Sequence, residues 1–206
     1  MLMLLILLTG TCSIASEFNG FYMGLQGGIN DMEDTETQGV KGEMDNGFTI
    51  AGTVGYDFGY FRVEGEAAYR KNDIGEIIIN DEKTQSSGDV TSTTFMLNGY
   101  FDFENKTKFT PFVGAGIGYN HVKNDGTARY GGSTTVTYDD TDTVLAYQLT
   151  AGVAWEVTDA FVLDLSYRYL SADDIEVAGT SNWGFTVEDK IDYENHSYQI
   201  GFRWYF

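Results

Sequence analysis

Between residues 60 and 70, Arg62, Glu64, Glu66 and Arg70 share one parity while Phe61, Val63, Ala67 and Tyr69 share the other. Carboxylates two residues apart beside arginines suit ion passage or plain ion pairing. The same parity argument adds Asp57, Asp102, Glu156, Asp164, Arg168 and Arg203 to the set. Charges taken out of water persist only when paired and hydrogen-bonded. An ionic ladder is therefore expected, with Glu64 and Glu66 against Arg168 or Arg203. Such a ladder either plugs a closed core or lines a narrow, gated solute path.

Other reactive groups are sparse. The two histidines, His121 and His196, have no evident carboxylate partner in the sequence. His196 and Ser197 are adjacent, so on a strand they point to opposite faces. The single cysteine is Cys12. The sequence contains no phosphate-cradling glycine loop, zinc-ligand cluster or basic nucleic-acid patch. Asp139-Asp140-Thr141-Asp142 and Asp173-Asp174-Ile175-Glu176 lack a calcium-loop spacing, so they read as solvated loop segments. No cofactor, no metal and no nucleic-acid partner are expected.

The elements that hold these residues are strands. Side chains alternate faces along a strand, and strict alternation recurs over 20–30, 47–57, 60–70, 90–103, 109–120, 144–157, 161–170 and 196–206. In the last of these, Tyr198, Ile200, Phe202, Trp204 and Phe206 form one apolar face, opposite Ser197, Gln199, Gly201, Arg203 and Tyr205. A tilted strand of roughly 9–11 residues crosses a bilayer. Charged positions must then face away from lipid, because each costs roughly 2–4 kcal/mol at the midplane. No run of 18 apolar residues exists for a membrane helix, and the mean hydropathy of −0.23 is no obstacle, since inward and lipid-facing residues alternate in such walls. A soluble barrel with an apolar interior is the alternative, but it would place charges outside and aromatics inside, and the strands read the opposite way.

The terminal Phe206, preceded at alternate positions by Trp204, Phe202, Ile200 and Tyr198, resembles the C-terminal assembly signal of bacterial outer-membrane β-barrels. The run from Pro111 to Tyr119, Pro-Phe-Val-Gly-Ala-Gly-Ile-Gly-Tyr, resembles the fifth strand of opacity-type surface antigens. The family implied is that of the small eight-stranded barrels, which includes the outer membrane protein A, X and W group and belongs to the porin superfamily. The resemblance implies an all-β fold: an eight-stranded antiparallel up-and-down transmembrane β-barrel with short periplasmic turns and four long extracellular loops. It also implies outer-membrane localisation, contact with outer-membrane lipids and lipopolysaccharide, delivery by the barrel assembly machinery, and a monomer without enzyme activity. Lipid A deacylases of similar architecture resemble one another in a His-x-Ser pair on one strand face, which His196 and Ser197 do not reproduce. The glycine face of strand five, Gly114, Gly116 and Gly118, is expected to leave local space, keeping a small porin as the alternative role.

Residues 1–16, with the run Leu2-Met3-Leu4-Leu5-Ile6-Leu7-Leu8, read as a cleaved signal peptide, and 17–206 as the barrel. Net charge is −19, and the four long connections hold 22 acidic and 6 basic residues. Acidic loops keep a surface soluble and repel anionic partners. Ile74, Ile77, Ile78, Ile79, Trp183, Phe185 and Val187 add apolar groups there, for hairpin packing or for contact with a host or cell-surface ligand.

Overall fold

The computed structural model describes residues 19–32, 35–37, 40–44, 46–79, 82–84, 86–130, 134–181 and 186–206. Eight long strands make a wall: β1 Gly20–Met32, β4 Gly47–Asp57, β5 Phe61–Ile79, β7 Ser86–Asp102, β8 Phe109–Tyr130, β9 Thr134–Thr158, β10 Phe161–Ser181 and β11 Thr186–Tyr205. Every neighbouring pair is antiparallel, and β1 pairs with β11 from Tyr22↔Tyr205 to Met32↔Asn195, so the sheet closes on itself. Closure leaves no unpaired edge, as a bilayer requires. Three short strands stand outside the ring: β2 Thr35–Thr37, β3 Val40–Met44 and β6 Glu82–Thr84. β3 and β6 both pair with the far end of β5.

One end of the barrel has tight turns. At 58–60 the amide of Phe58 donates to the Phe61 carbonyl at 2.9 Å, and Gly59 sits at φ +96°. Its amide donates to Asp57 Oδ1 at 2.8 Å. A side chain would strain that backbone, so glycine is required there. At 103–108, Asn105 Nδ2 donates to the Phe109 carbonyl at 2.7 Å, and Asn105 Oδ1 accepts from the Thr107 amide at 2.8 Å. Residues 159–160 join β9 to β10.

At the other end the long connections continue as paired strand. β8 and β9 keep register out to Tyr130↔Thr134, and β10 and β11 stay paired to Thr180↔Thr186 across an irregularity between Ala172 and Ile175. Threonine-rich, β-branched sequence favours this, and each added cross-strand pair holds its own backbone bonds.

The wall is inverted relative to a soluble barrel. Leu25, Ile29, Phe95, Leu97, Leu165 and Ile200 are exposed on its outer surface. Arg62, Glu64, Glu66, Arg70, Asp102, Asp164, Arg168 and Arg203 are buried inside it. Aromatic rings crowd the tight-turn end of the outer face, where Phe21 meets Tyr56 edge-on at 4.9 Å and Phe101 meets Phe103 at 5.1 Å. The predicted signal peptide and Cys12 lie outside the described residues.

Candidate functional site

The interior is built by alternate residues of all eight long strands. Arg62 on β5 grips Asp102 on β7 through two bonds, Nε to Oδ2 at 2.6 Å and Nη2 to Oδ1 at 3.0 Å. Arg203 on β11 grips Asp164 on β10 in the same forked manner, at 2.8 and 2.9 Å. Both pairs are diagonal neighbours on adjacent strands, since Arg62 faces Tyr100 and Arg203 faces Val162 in the register. Bidentate guanidinium–carboxylate bonds are the strongest form of such pairing.

The third pair has different geometry. Arg168 on β10 donates through Nη1 to Glu66 Oε2 on β5. Four strand-to-strand steps separate β10 from β5 in either direction round the ring, so this pair bridges the full bore. Asn98 Nδ2 also donates to Glu66 Oε2, at 3.2 Å. Arg70 Nη2 lies 4.0 Å from Glu66 Oε1, while its Nη1 donates to Thr94 Oγ1 at 2.8 Å and its Nη2 to Gln148 Oε1 at 3.5 Å.

Glu64 is held by two phenols, Tyr22 Oη at 2.9 Å and Tyr100 Oη at 3.3 Å. This corrects part of the expected ladder, in which Arg203 was a partner for Glu64 or Glu66. Arg203 is fixed to Asp164 on the adjacent strand, where a fork can form without crossing the bore. Glu156 is half-buried at the tight-turn mouth, beside Asp57 and Asp102 around a cavity of about 20 Å³.

Aromatics fill the space among these charges. Arg62 lies over the rings of Tyr100 and Phe112 at 4.7 and 5.1 Å, and Arg203 over Tyr22 and Tyr205 at 5.6 and 5.8 Å. Tyr205 Oη donates to Asp57 Oδ2 at 2.8 Å. Towards the hairpin end an apolar plug follows, made of Val90, Met96, Val122, Leu170 and Tyr193. The glycine face of β8 leaves no free space, contrary to expectation: side-chain atoms of Tyr100 and Asn98 lie where a Cβ of Gly114 or Gly116 would sit, and the Phe95 carbonyl with Met96 lies where that of Gly118 would. Glycine is used there so that the large inward residues of β7 can lie flat.

Parity sets Asn98, Tyr100 and Gln148 inward with the charges, and Tyr22 and Tyr205 opposite the lipid-facing aromatics, as the structure has them; what it does not name is their role as hydrogen-bond partners of the network. The available signal was their position on the charged face, opposite the lipid-facing aromatics.

Outside the interior, His196 packs against Tyr169 at 5.2 Å, and its Nδ1 is 2.6 Å from Tyr167 Oη. His121 Nδ1 is 2.8 Å from Thr143 Oγ1. Ser197 is buried inside while His196 is on the outer face, so the two form no nucleophile–base pair. Among the described residues no group of three histidine, cysteine or acidic side chains is placed to hold a metal ion. Asp140 and Asp142 accept bonds from the amides of Thr141 and Thr143 at 2.8 and 2.7 Å. Trp183 and Phe185 lie outside the described residues, as do the side chains of Ile74, Ile77, Ile78, Ile79, Asp139, Asp174, Ile175, Glu176 and Val187. Tyr198, Ile200, Phe202, Trp204 and Phe206 project outward from the last strand, with Trp204 and Phe206 rings 5.5 Å apart.

The family model described as "outer membrane protein beta-barrel domain" matches residues 1–206. The chain belongs to this family. Among curated relatives, outer membrane protein PagN of Salmonella typhimurium is 31% identical over 123 residues, covering 57% of this chain and 51% of PagN. The chain thus spans about half the length of that relative. Opacity protein V28 of Neisseria gonorrhoeae is 26% identical over 191 residues, covering 75% of this chain and 76% of V28. Two solved barrels share the fold. Neisserial surface protein A superposes with a TM-score of 0.60 at 19% identity, over 94% of this chain and 100% of its own. OprG of Pseudomonas aeruginosa gives 0.59 at 16% identity, over 91% and 98%. This outer-membrane barrel therefore sits in the bacterial outer membrane, its outward apolar band facing lipid.

Proposed function

We propose that this outer-membrane barrel is a surface-exposed interaction protein, of the adhesin or surface-antigen kind. Its acidic outer hairpins meet a host or cell-surface ligand while the barrel serves as a sealed scaffold. The reading rests on the Arg168–Glu66 pair between diametrically opposed strands. With the aromatic-packed arginines on one side and the apolar plug on the other, that bridge favours a blocked bore and leaves the hairpins as the working surface. An eight-stranded barrel is just wide enough for side chains to fill. No catalytic role is assigned. Its proposed surroundings are outer-membrane lipids and lipopolysaccharide, its delivery is by the barrel assembly machinery, and its working state is a monomer.

A second reading, a narrow porin, is favoured by one observation. Buried polar atoms of Gln26, Thr53, Asn195 and Gln199 have no protein partner, and such atoms are usually satisfied by water. Conductance separates the two readings. The refolded barrel in a planar bilayer is expected to be silent. Reproducible steps that change with Glu64→Lys or Arg168→Glu would move the function into the bore.

A further inference from the structure

The ring of strands is closed only as far as Met32↔Asn195. Beyond that pair β1 ends, and the next strands, β2 and β3, pair with each other and with the far end of β5. β11 nevertheless runs on outward to Thr186, paired on its other side with β10 up to Thr180↔Thr186. Among the described residues no strand pairs with the β1-facing side of 186–194. Every second residue of that stretch therefore directs its amide and carbonyl towards a neighbour that is not there.

An open edge is a template for one more strand, and proteins ordinarily blunt it with proline, a bulge or short length. This edge reads Thr-Val-Glu-Asp-Lys-Ile-Asp-Tyr-Glu, without proline or glycine, and its ladder with β10 is regular from Thr186 to Ile191. Threonine, valine, isoleucine and tyrosine favour extended backbone. What the edge carries instead is a surplus of one charge. Glu188, Asp189, Asp192 and Glu194 outnumber Lys190, and Lys190 already stands opposite Glu176 on β10. Asp31, exposed, lies at the foot of the edge opposite His196. A second copy of the edge would bring the same surplus, and like charges opposed across a strand pair destabilise it. A strand bearing lysine or arginine meets no such barrier. The acidic positions thus disfavour self-pairing and select a basic partner.

We propose that residues 186–194 are a docking edge for an extended, basic segment of a partner protein, which adds as a strand on the side that β1 vacates. Backbone hydrogen bonds supply the affinity, and the acidic positions supply the selectivity. The proposal rests on the reading of the outer hairpins as the working surface, and it names the strand that meets the partner and the partner's chemistry.

The test uses the folded full chain in phosphatidylcholine nanodiscs, where no anionic lipid competes. The probes are a fluorescent peptide of alternating lysine and valine, the same peptide N-methylated at every residue, and one of alternating glutamate and valine. Fluorescence anisotropy reads binding, and amide hydrogen exchange reads its location. The lysine–valine peptide is expected to bind and to slow exchange in residues 186–194, while the other two peptides stay free. Glu188→Lys combined with Asp192→Lys should weaken that binding roughly tenfold, because two cross-strand attractions become repulsions. Should the double variant fail to fold, the three peptides on the unaltered chain decide alone. Equal binding of the N-methylated peptide would overturn the proposal, since charge alone would then suffice. So would no binding of the lysine–valine peptide, protection confined to other strands, or unchanged affinity in the double variant. Each of these leaves the wider surface-interaction reading standing, whose own failure shows separately as conductance through the bore.

Discussion

At the scale of single residues, the interior shows how much a parity rule reveals and where it stops. Alternation separates lumen from lipid because a strand leaves a side chain only two directions. It does not choose partners, because partner choice depends on the stagger between strands and on the bore diameter. Asp164 reaches Arg203 as a diagonal neighbour, while Glu66 reaches Arg168 only because the ring closes at eight strands. Alternation places tyrosines on both faces, Tyr22, Tyr100 and Tyr205 with the charges and Tyr167, Tyr169 and Tyr198 with the lipid-facing set, but it does not say which phenol meets which carboxylate. The bridging pair is the residue on which to test the packing. Arg168→Met leaves Glu66 buried opposite an uncharged side chain and should cost about 3–5 kcal/mol. Adding Glu66→Met should recover much of the loss, since replacing a whole buried pair by apolar groups is often close to neutral. Urea midpoints of the two variants in lipid vesicles check this, and equal destabilisation by both would argue against the pair.

At the scale of elements, β4 occupies the same residues, 47–57, that alternation selects, and the tight-turn ends of the strands were equally clear. The outer ends were not. β5 continues to Ile79 and β8 to Tyr130 through sequence without the apolar/polar alternation of the wall, and hairpin pairing extends the strand there. β11 has a second task beyond closing the wall. Phe206, which follows it, is 70% exposed on the outside, and its amide donates to the Phe21 carbonyl at 3.2 Å. Removing Phe206 takes away little of the network inside, so the folded barrel should survive. Recognition by the assembly machinery should suffer instead. The expected outcome is normal export with a several-fold lower yield of heat-modifiable barrel in outer-membrane fractions. Unchanged yield would count against Tyr198, Ile200, Phe202, Trp204 and Phe206 as an assembly signal.

At the scale of the whole molecule, charge and stability are held in different places. The inner pairs lie within the membrane-spanning wall, whereas most of the net −19 lies in the outer connections. The register sets positions Asp73, Asp89, Asp125 and Asp139 side by side on β5, β7, β8 and β9, a collar of four acidic positions. Like charges directly opposite each other destabilise a sheet, so this collar contributes surface properties rather than strength. Replacing residues 125–139 by a short turn should leave heat-modifiability intact and abolish any cell-surface binding carried by that hairpin. Loss of the folded band would show instead that the scaffold depends on it.

The seam between β1 and β11 sets a schedule. Tyr22 lies opposite Tyr205, and the phenol of Tyr205 closes onto Asp57 across 148 positions of sequence. Contacts that distant form late, and strand pairing that waits on them leaves edges open in the meantime. A ribosome or a translocation channel releases β1 well before β11, so the ring cannot shut while the chain is still threading through either. The polypeptide becomes a barrel only once its final strand is free to meet its first.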